Sequence, residues 1–139
     1  MKTILDTCVL SEIRHPSGSA YVKEAVMQIP DADLFLSVVS LGEISKGINL
    51  MKASKKRNDL VLWLNGLEAN FAERIYGIDS DTAKLWGSLT ARLEKTGIVI
   101  PAIDGLLAAT ALQRGAHLMT RNTRHFDATG ALVIDPWQK

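Results

Sequence analysis

The stretch "KTILDTCVL" (residues 2–10) decides how the chain is read. Its apolar core, broken at Asp6, is too short for a membrane span and too continuous for a solvent-facing strand, so it reads as a buried strand ending at Asp6. A short helix follows, and Asp is a favoured residue for capping a helix start. Strand, acid, helix is the opening of an α/β unit.

The same alternation recurs along the chain. "YVKEAVMQI" (21–29) has helical spacing and "DLFLSVV" (33–39) is a second strand. From Ser40 onward Leu41, Ile44, Ile48 and Met51 fall on one side of a 3.6-residue period, which predicts a helix. A further helix covers 54–70, "RIYGI" (74–78) is a strand, and 80–97 is a helix with Ser80 as its cap and Gly97 as its stop. A helix runs from Asp104 to Arg114 and ends at Gly115, and 117–120 and 131–134 are the last strands. The expected fold class is α/β, with a central, mostly parallel sheet of about five strands covered by helices. No repeat, low-complexity run or linker divides residues 1–139, so one domain is expected.

Composition sets bounds. Of the 139 residues, 47% are hydrophobic and 22% charged, as in globular proteins, and the net charge of +1 gives no global field toward nucleic acid. Any such partner has to be met by a local patch. No apolar run approaches the ~20 residues that span a bilayer. The single Cys8 cannot form an internal disulfide, and no signal peptide is evident, so a cytoplasmic location with no membrane partner is the expectation.

In parallel sheets ligands gather at the carboxyl ends of strands. Three acids are expected there. Asp6 closes the first strand. Glu43 lies in the first turn after the second, within "SLGE" (40–43), which also fits a capping box with Ser40. Lys46 is one turn from Glu43, and Gly47 leaves space beside it. Asp104 opens the apolar helix "PAIDGLLAATAL" (101–112), where it could equally be a cap. Each acid alone has this structural reading. Brought together, three carboxylates repel unless a cation lies among them, and oxygen-only ligands favour Mg²⁺ or Mn²⁺. His15, His117 and His125 lack the spacing of zinc ligands.

"ILDTCVLSE", "LGEISKGI", "IDGLLAATAL" with "LMTRNTRHF", and the closing "VIDPW" together resemble PIN-domain ribonucleases, specifically VapC or FitB-type toxins of bacterial toxin–antitoxin pairs. The resemblance spans the chain and implies a PIN-like fold. It implies an acidic site of Asp6, Glu43 and Asp104, with Asp6 and Asp104 as direct metal ligands and Glu43 as ligand or holder of the attacking water. A fourth family acid is matched by Asn122, which supplies an oxygen but no charge, and Asp127 stands five residues on. Thr7 and Thr120 are implied as supporting hydroxyls.

The implied reaction is Mg²⁺- or Mn²⁺-dependent hydrolysis of single-stranded or loop RNA, leaving a 5′-phosphate. Arg121 and Arg124 follow the fourth strand and suit RNA phosphates. Arg114 lies upstream in the same acid-free stretch, and "KASKKR" (52–57) is a second basic patch, read first as a solvated turn. Trp63 and Trp86 read as packing residues and Trp137 as a tail anchor. Cys8 stands where the family commonly has asparagine and reads as a small buried hydrophobe. A homodimer, an antitoxin of the VapB/FitA type and a heteromeric assembly with it are implied by the resemblance. Two rivals stay open: a metal-dependent phosphatase or phosphotransfer domain, and a PIN-like domain that binds RNA or a partner without cleaving.

Overall fold

The computed structural model describes residues 1–138. Its strands are β1 (Thr3–Leu5), β2 (Leu34–Ser37), β3 (Ile75–Tyr76), β4 (His117–Met119) and β5 (Val133–Ile134). They form one sheet in the order β3-β2-β1-β4-β5, and every pairing is parallel. The helices are α1 (Thr7–Arg14), α2 (Ala20–Met27), α3 (Val38–Asn49), α4 (Lys55–Asn70), α5 (Ser80–Lys95), α6 (Ala102–Arg114) and α7 (Thr123–Phe126). The α/β expectation therefore holds, with shorter strands than the apolar runs suggest.

The two-residue period of the strands divides the core. Ile4 is in register with Phe35 and Leu118, and these pack with Leu89, Leu93, Leu107 and Ala108 of α5 and α6. Leu5 is in register with Met119, and on that side Val9, Leu10, Val22, Ile44 and Ile48 come from α1, α2 and α3. Fully burying such a side chain stabilises by roughly 1.5–3 kcal/mol. A double-sided core of this size outweighs the cost of holding one carboxylate, Asp6, out of water at the end of β1. Between α5 and α6 the fit is close: a Cβ on Gly105 would stand 2.9 Å from Nε1 of Trp86 and 3.3 Å from Cγ2 of Thr90.

Helix starts differ from the sequence reading in three places. Ser37, the last residue of β2, caps α3 by accepting from the Val39 N–H at 3.2 Å. The helix thus begins before Ser40, the Ser40–Glu43 capping box does not form, and Ser40 is buried in the helix with its hydroxyl unpartnered among the described residues. For α5 the cap is Asp79, whose carboxylate accepts from the Thr82 N–H at 2.8 Å, and Ser80 is the first helical residue. For α6 the cap position is Pro101, which has no side-chain acceptor, so Asp104 lies in the first turn and does not cap. In each case the chain turns helical earlier than the last polar candidate. Gly115 does end α6, in the left-handed conformation at φ 62° that a side chain disfavours.

Candidate active site

The order β3-β2-β1-β4-β5 places the topological switch point between β1 and β4, and the carboxyl end of the sheet at that point is where an α/β fold opens a crevice. Asp6 and Thr120 are the residues just past β1 and β4. The Asp6 N–H donates to the Met119 carbonyl at 3.0 Å, which locks the two strand ends together.

Asp6 is 5% exposed, and each of its carboxylate oxygens accepts a hydrogen bond. Its Oδ1 takes the Thr7 N–H at 2.7 Å, capping α1 as the sequence suggests, and its Oδ2 takes the Thr120 hydroxyl at 2.8 Å. The Cys8 thiol lies 3.9 Å from Oδ2 and 3.6 Å from the Thr120 hydroxyl. Burial raises the Asp6 carboxyl above its ordinary range; the Thr120 and Thr7 hydrogen bonds oppose this, and the charge of Asp104 adds to it. Burial likewise raises the Cys8 thiol, which stays protonated and packs against the second core cluster. A protonated thiol beside a carboxylate is a poor nucleophile.

Glu43 comes from the second turn of α3, later than the capping-box reading places it. Its Oε1 accepts the Thr7 hydroxyl at 3.0 Å, across 36 positions of sequence. Among the described residues it forms no ion pair with Lys46. Gly47 leaves open space as expected, since a Cβ there would meet nothing within 4 Å. The Glu43 carboxyl is raised first by burial and then by the charges of Asp6 and Asp104, against the Thr7 hydrogen bond. The three acids are therefore electrostatic neighbours.

Asp104 shows what the sequence reading missed. Its Oδ2 is 2.6 Å from Nδ1 of His125. An ionised carboxylate only accepts, so the imidazole is the donor and its proton is on Nδ1. His125 lies on α7, a four-residue helix inside what reads as a loop. Its spacing to the other histidines carries no signal; the only sequence cue is its place three residues after Asn122.

Asn122 occupies the cap position of α7, donates its N–H to the Thr120 hydroxyl at 3.1 Å, and is exposed with no side-chain capping bond. Thr120 thus receives one hydrogen bond and gives another, linking Asn122 to Asp6. Asp127 is exposed at the other end of α7, and the charges pressing on Asp6 and Glu43 are those of the trio. Among the described residues no group of three His, Cys, Asp or Glu side chains is drawn together closely enough to hold a metal ion. Each acid is instead tied to its own donor.

Of the arginines, Arg124 is exposed on α7, and Arg121 is exposed with its guanidinium 5.2 Å from the ring centre of Trp137. Trp137 packs against the second core cluster, as a tail anchor should. Arg114 is turned elsewhere, 3.7 Å from the Asp79 carboxylate and over the Tyr76 ring. In the second basic patch Arg57 donates to the Ile48 carbonyl at the end of α3, a structural task. Trp63 packs against the second core cluster and Trp86 against Gly105, so both are packing residues.

A PIN domain model matches residues 3–132. The chain is 34% identical to the VapC ribonuclease Y4jK of Sinorhizobium fredii, with 97% of each chain covered. It is 32% identical to toxin FitB of Neisseria gonorrhoeae, covering 96% of this chain and 97% of that one. The crystal structure of FitAcB from Neisseria gonorrhoeae superimposes with a TM-score of 0.91 at 31% identity, over 99% of both chains. A five-stranded parallel sheet, acids at its switch point and end-to-end similarity agree: this chain belongs to the PIN-domain family, among the toxins of the VapC and FitB type.

Proposed function

We propose that this protein is a metal-dependent endoribonuclease, the toxic member of a toxin–antitoxin pair, acting as one PIN domain over its whole length. The observation that carries the reading is that Thr7 ties Glu43 to the neighbourhood of Asp6 while Asp104 lies within electrostatic reach of both, so that the charges help to raise the Asp6 and Glu43 carboxyls although the three side chains do not close on one point. That repulsion, in an oxygen-only donor set, fits a hard divalent cation such as Mg²⁺ or Mn²⁺. Asp6 and Asp104 would hold it, with Glu43 beside them. Such an ion, when bound, supplies Lewis acidity toward a phosphoryl oxygen and makes water a stronger acid.

The chain's own residues supply the rest. Thr7 fixes one oxygen of Glu43 and leaves the other to orient the attacking water. A carboxylate raised from its ordinary range is better matched to taking a proton near neutral pH. Water then adds to phosphorus, the 3′ oxygen leaves and takes up a proton, and the 5′-phosphate stays on the downstream fragment. Asn122 offers an uncharged oxygen at the rim, while Thr120 holds Asp6. Arg124, and Arg121 once released from Trp137, suit the RNA backbone. An antitoxin of the VapB/FitA type, supported by the similarity to FitB and to the FitAcB structure, completes the reading, together with a homodimer and a cytoplasmic setting.

Purified protein with single-stranded and stem-loop RNA in Mn²⁺ or Mg²⁺ tests the proposal. Scission leaving 5′-phosphates, abolished by EDTA and by Asp6→Asn, is the expected result. RNA retention without scission at any metal concentration would favour the non-cleaving PIN-like domain. In cells, expression is expected to arrest growth, and Asp104→Ala to relieve the arrest with the protein still present.

A further inference from the structure

We infer that His125 is a positioning residue for Asp104, setting which carboxylate oxygen faces the other two acids and thereby the affinity of the site for its divalent ion. The inference rests on the metal-dependent reading above and extends it to a residue outside the acidic set.

Asp104 is 16% exposed at the side chain and sits in the first turn of α6, anchored by a backbone that Gly105 and Trp86 hold in close packing. Its backbone is therefore fixed, and the orientation of its carboxylate is left to its side-chain partner. Asp6 and Glu43 have hydroxyl or backbone donors from α1 and the end of β4, but Asp104 has no capping bond and takes its side-chain hydrogen bond from His125. At 2.6 Å that bond occupies Oδ2 and leaves both lone pairs of Oδ1 for another partner.

His125 is itself held. Its N–H donates to the Asn122 carbonyl at 3.1 Å, and the next residue, Phe126, is fully buried in the core. The ring is half exposed, so its task is not core packing. Carboxylates that ligate metals are commonly oriented by a hydrogen bond from behind, and losing that bond typically costs about 10–100-fold in metal affinity.

Side-chain shape gives the test. Asparagine places an amide N–H where histidine has Nδ1, one bond past Cγ, whereas glutamine places its amide where Nε2 stands. Mn²⁺ affinity is measured by titration calorimetry for the full-length wild type, Asp104→Asn, His125→Ala, His125→Gln and His125→Asn, with circular dichroism melts for each. The expected order is binding about 10–100-fold weaker in the Ala and Gln variants, recovery to within a few-fold of wild type in the Asn variant, and loss in Asp104→Asn. Equal affinity in Ala and wild type, tighter binding in Ala, or equal weakening by Ala, Gln and Asn would each overturn the positioning role while leaving the metal reading intact. Wild-type protein that binds no Mn²⁺ would overturn both.

Discussion

The Thr120 hydroxyl, at the end of β4, donates to Oδ2 of Asp6, at the end of β1, across 2.8 Å and 114 positions of sequence. Two adjacent parallel strands thereby share one polar contact at the point where the sheet reverses its order. Removing that hydroxyl with Thr120→Val leaves a buried carboxylate short of a donor. A hydrogen bond to a charged group contributes about 1.5–3 kcal/mol, so a loss of about that size in urea unfolding is expected, together with reduced RNA cleavage. An unchanged unfolding midpoint would show that Asp6 is satisfied without Thr120.

Asp6 itself trades stability for function. Its carboxyl is raised in the folded state by burial, and Glu43 is raised for the same first reason. A carboxyl raised on folding favours the folded protein when protonated. Its contribution is complete below the ordinary carboxylate range, near pH 4, and is lost as pH rises through the elevated folded value. In EDTA, Asp6→Asn is therefore expected to melt higher than wild type at pH 7.5, with the gap narrowing toward pH 4.5, while cleavage is abolished. A gap that widens on acidification would reverse the sign.

Divalent ions should restore what charge repulsion removes. A ligand that binds only the folded state stabilises by about 2.7 kcal/mol at a hundred times its dissociation constant. Mn²⁺ is expected to raise the wild-type melting temperature and to leave Asp6→Asn almost unmoved; Na⁺ at matched ionic strength is the control. Equal shifts in both proteins would indicate ion effects away from the site.

Gly105→Ala is the packing test. Its new Cβ would meet Trp86 Nε1 at 2.9 Å and Cδ1 at 3.0 Å, which forces α6 or the indole to move. Overpacking of this kind costs about 1–3 kcal/mol, and because Asp104 is the preceding residue, cleavage should fall as well. Trp86→Leu in the same chain opens space and is expected to recover part of the stability. No loss in the single variant would mean that the indole swings aside freely.

Ser40 offers the opposite sign. Its hydroxyl is buried without a partner among the described residues, in a helix already capped by Ser37. Ser40→Ala removes an unsatisfied polar atom and places a better helix former, so thermal stability is expected to stay level or rise. A clear loss would reveal a bond to a buried water.

The sequence made Asp6 legible because a short apolar run stopped at an acid, and strand ends in a parallel sheet are where chemistry collects. Asp104 was legible as an acid at the mouth of an apolar helix, though its exact turn was not, because Pro101 starts α6 earlier than the polar pattern suggests. Glu43 lies one turn further into α3 than the local pattern suggests for a comparable reason: Ser37 and Ser40 are both acceptable caps locally, and only the end of β2 chooses between them. His125 was invisible because its partner is 21 residues away and α7 is too short to show a period. Arg121 is legible as a cation following the fourth strand, but its seat on Trp137 depends on where the tail returns, which no local pattern encodes.

The sheet is bounded on both sides by strands of two residues, β3 and β5. A margin that short presents too few free backbone donors and acceptors to recruit a foreign strand. Copies crowded together during overproduction, or a protein partner arriving at the surface, have to be met through helical faces and side chains rather than by lengthening the ladder. The architecture thus guards itself against fibrillar stacking by keeping both of its edge strands to two residues.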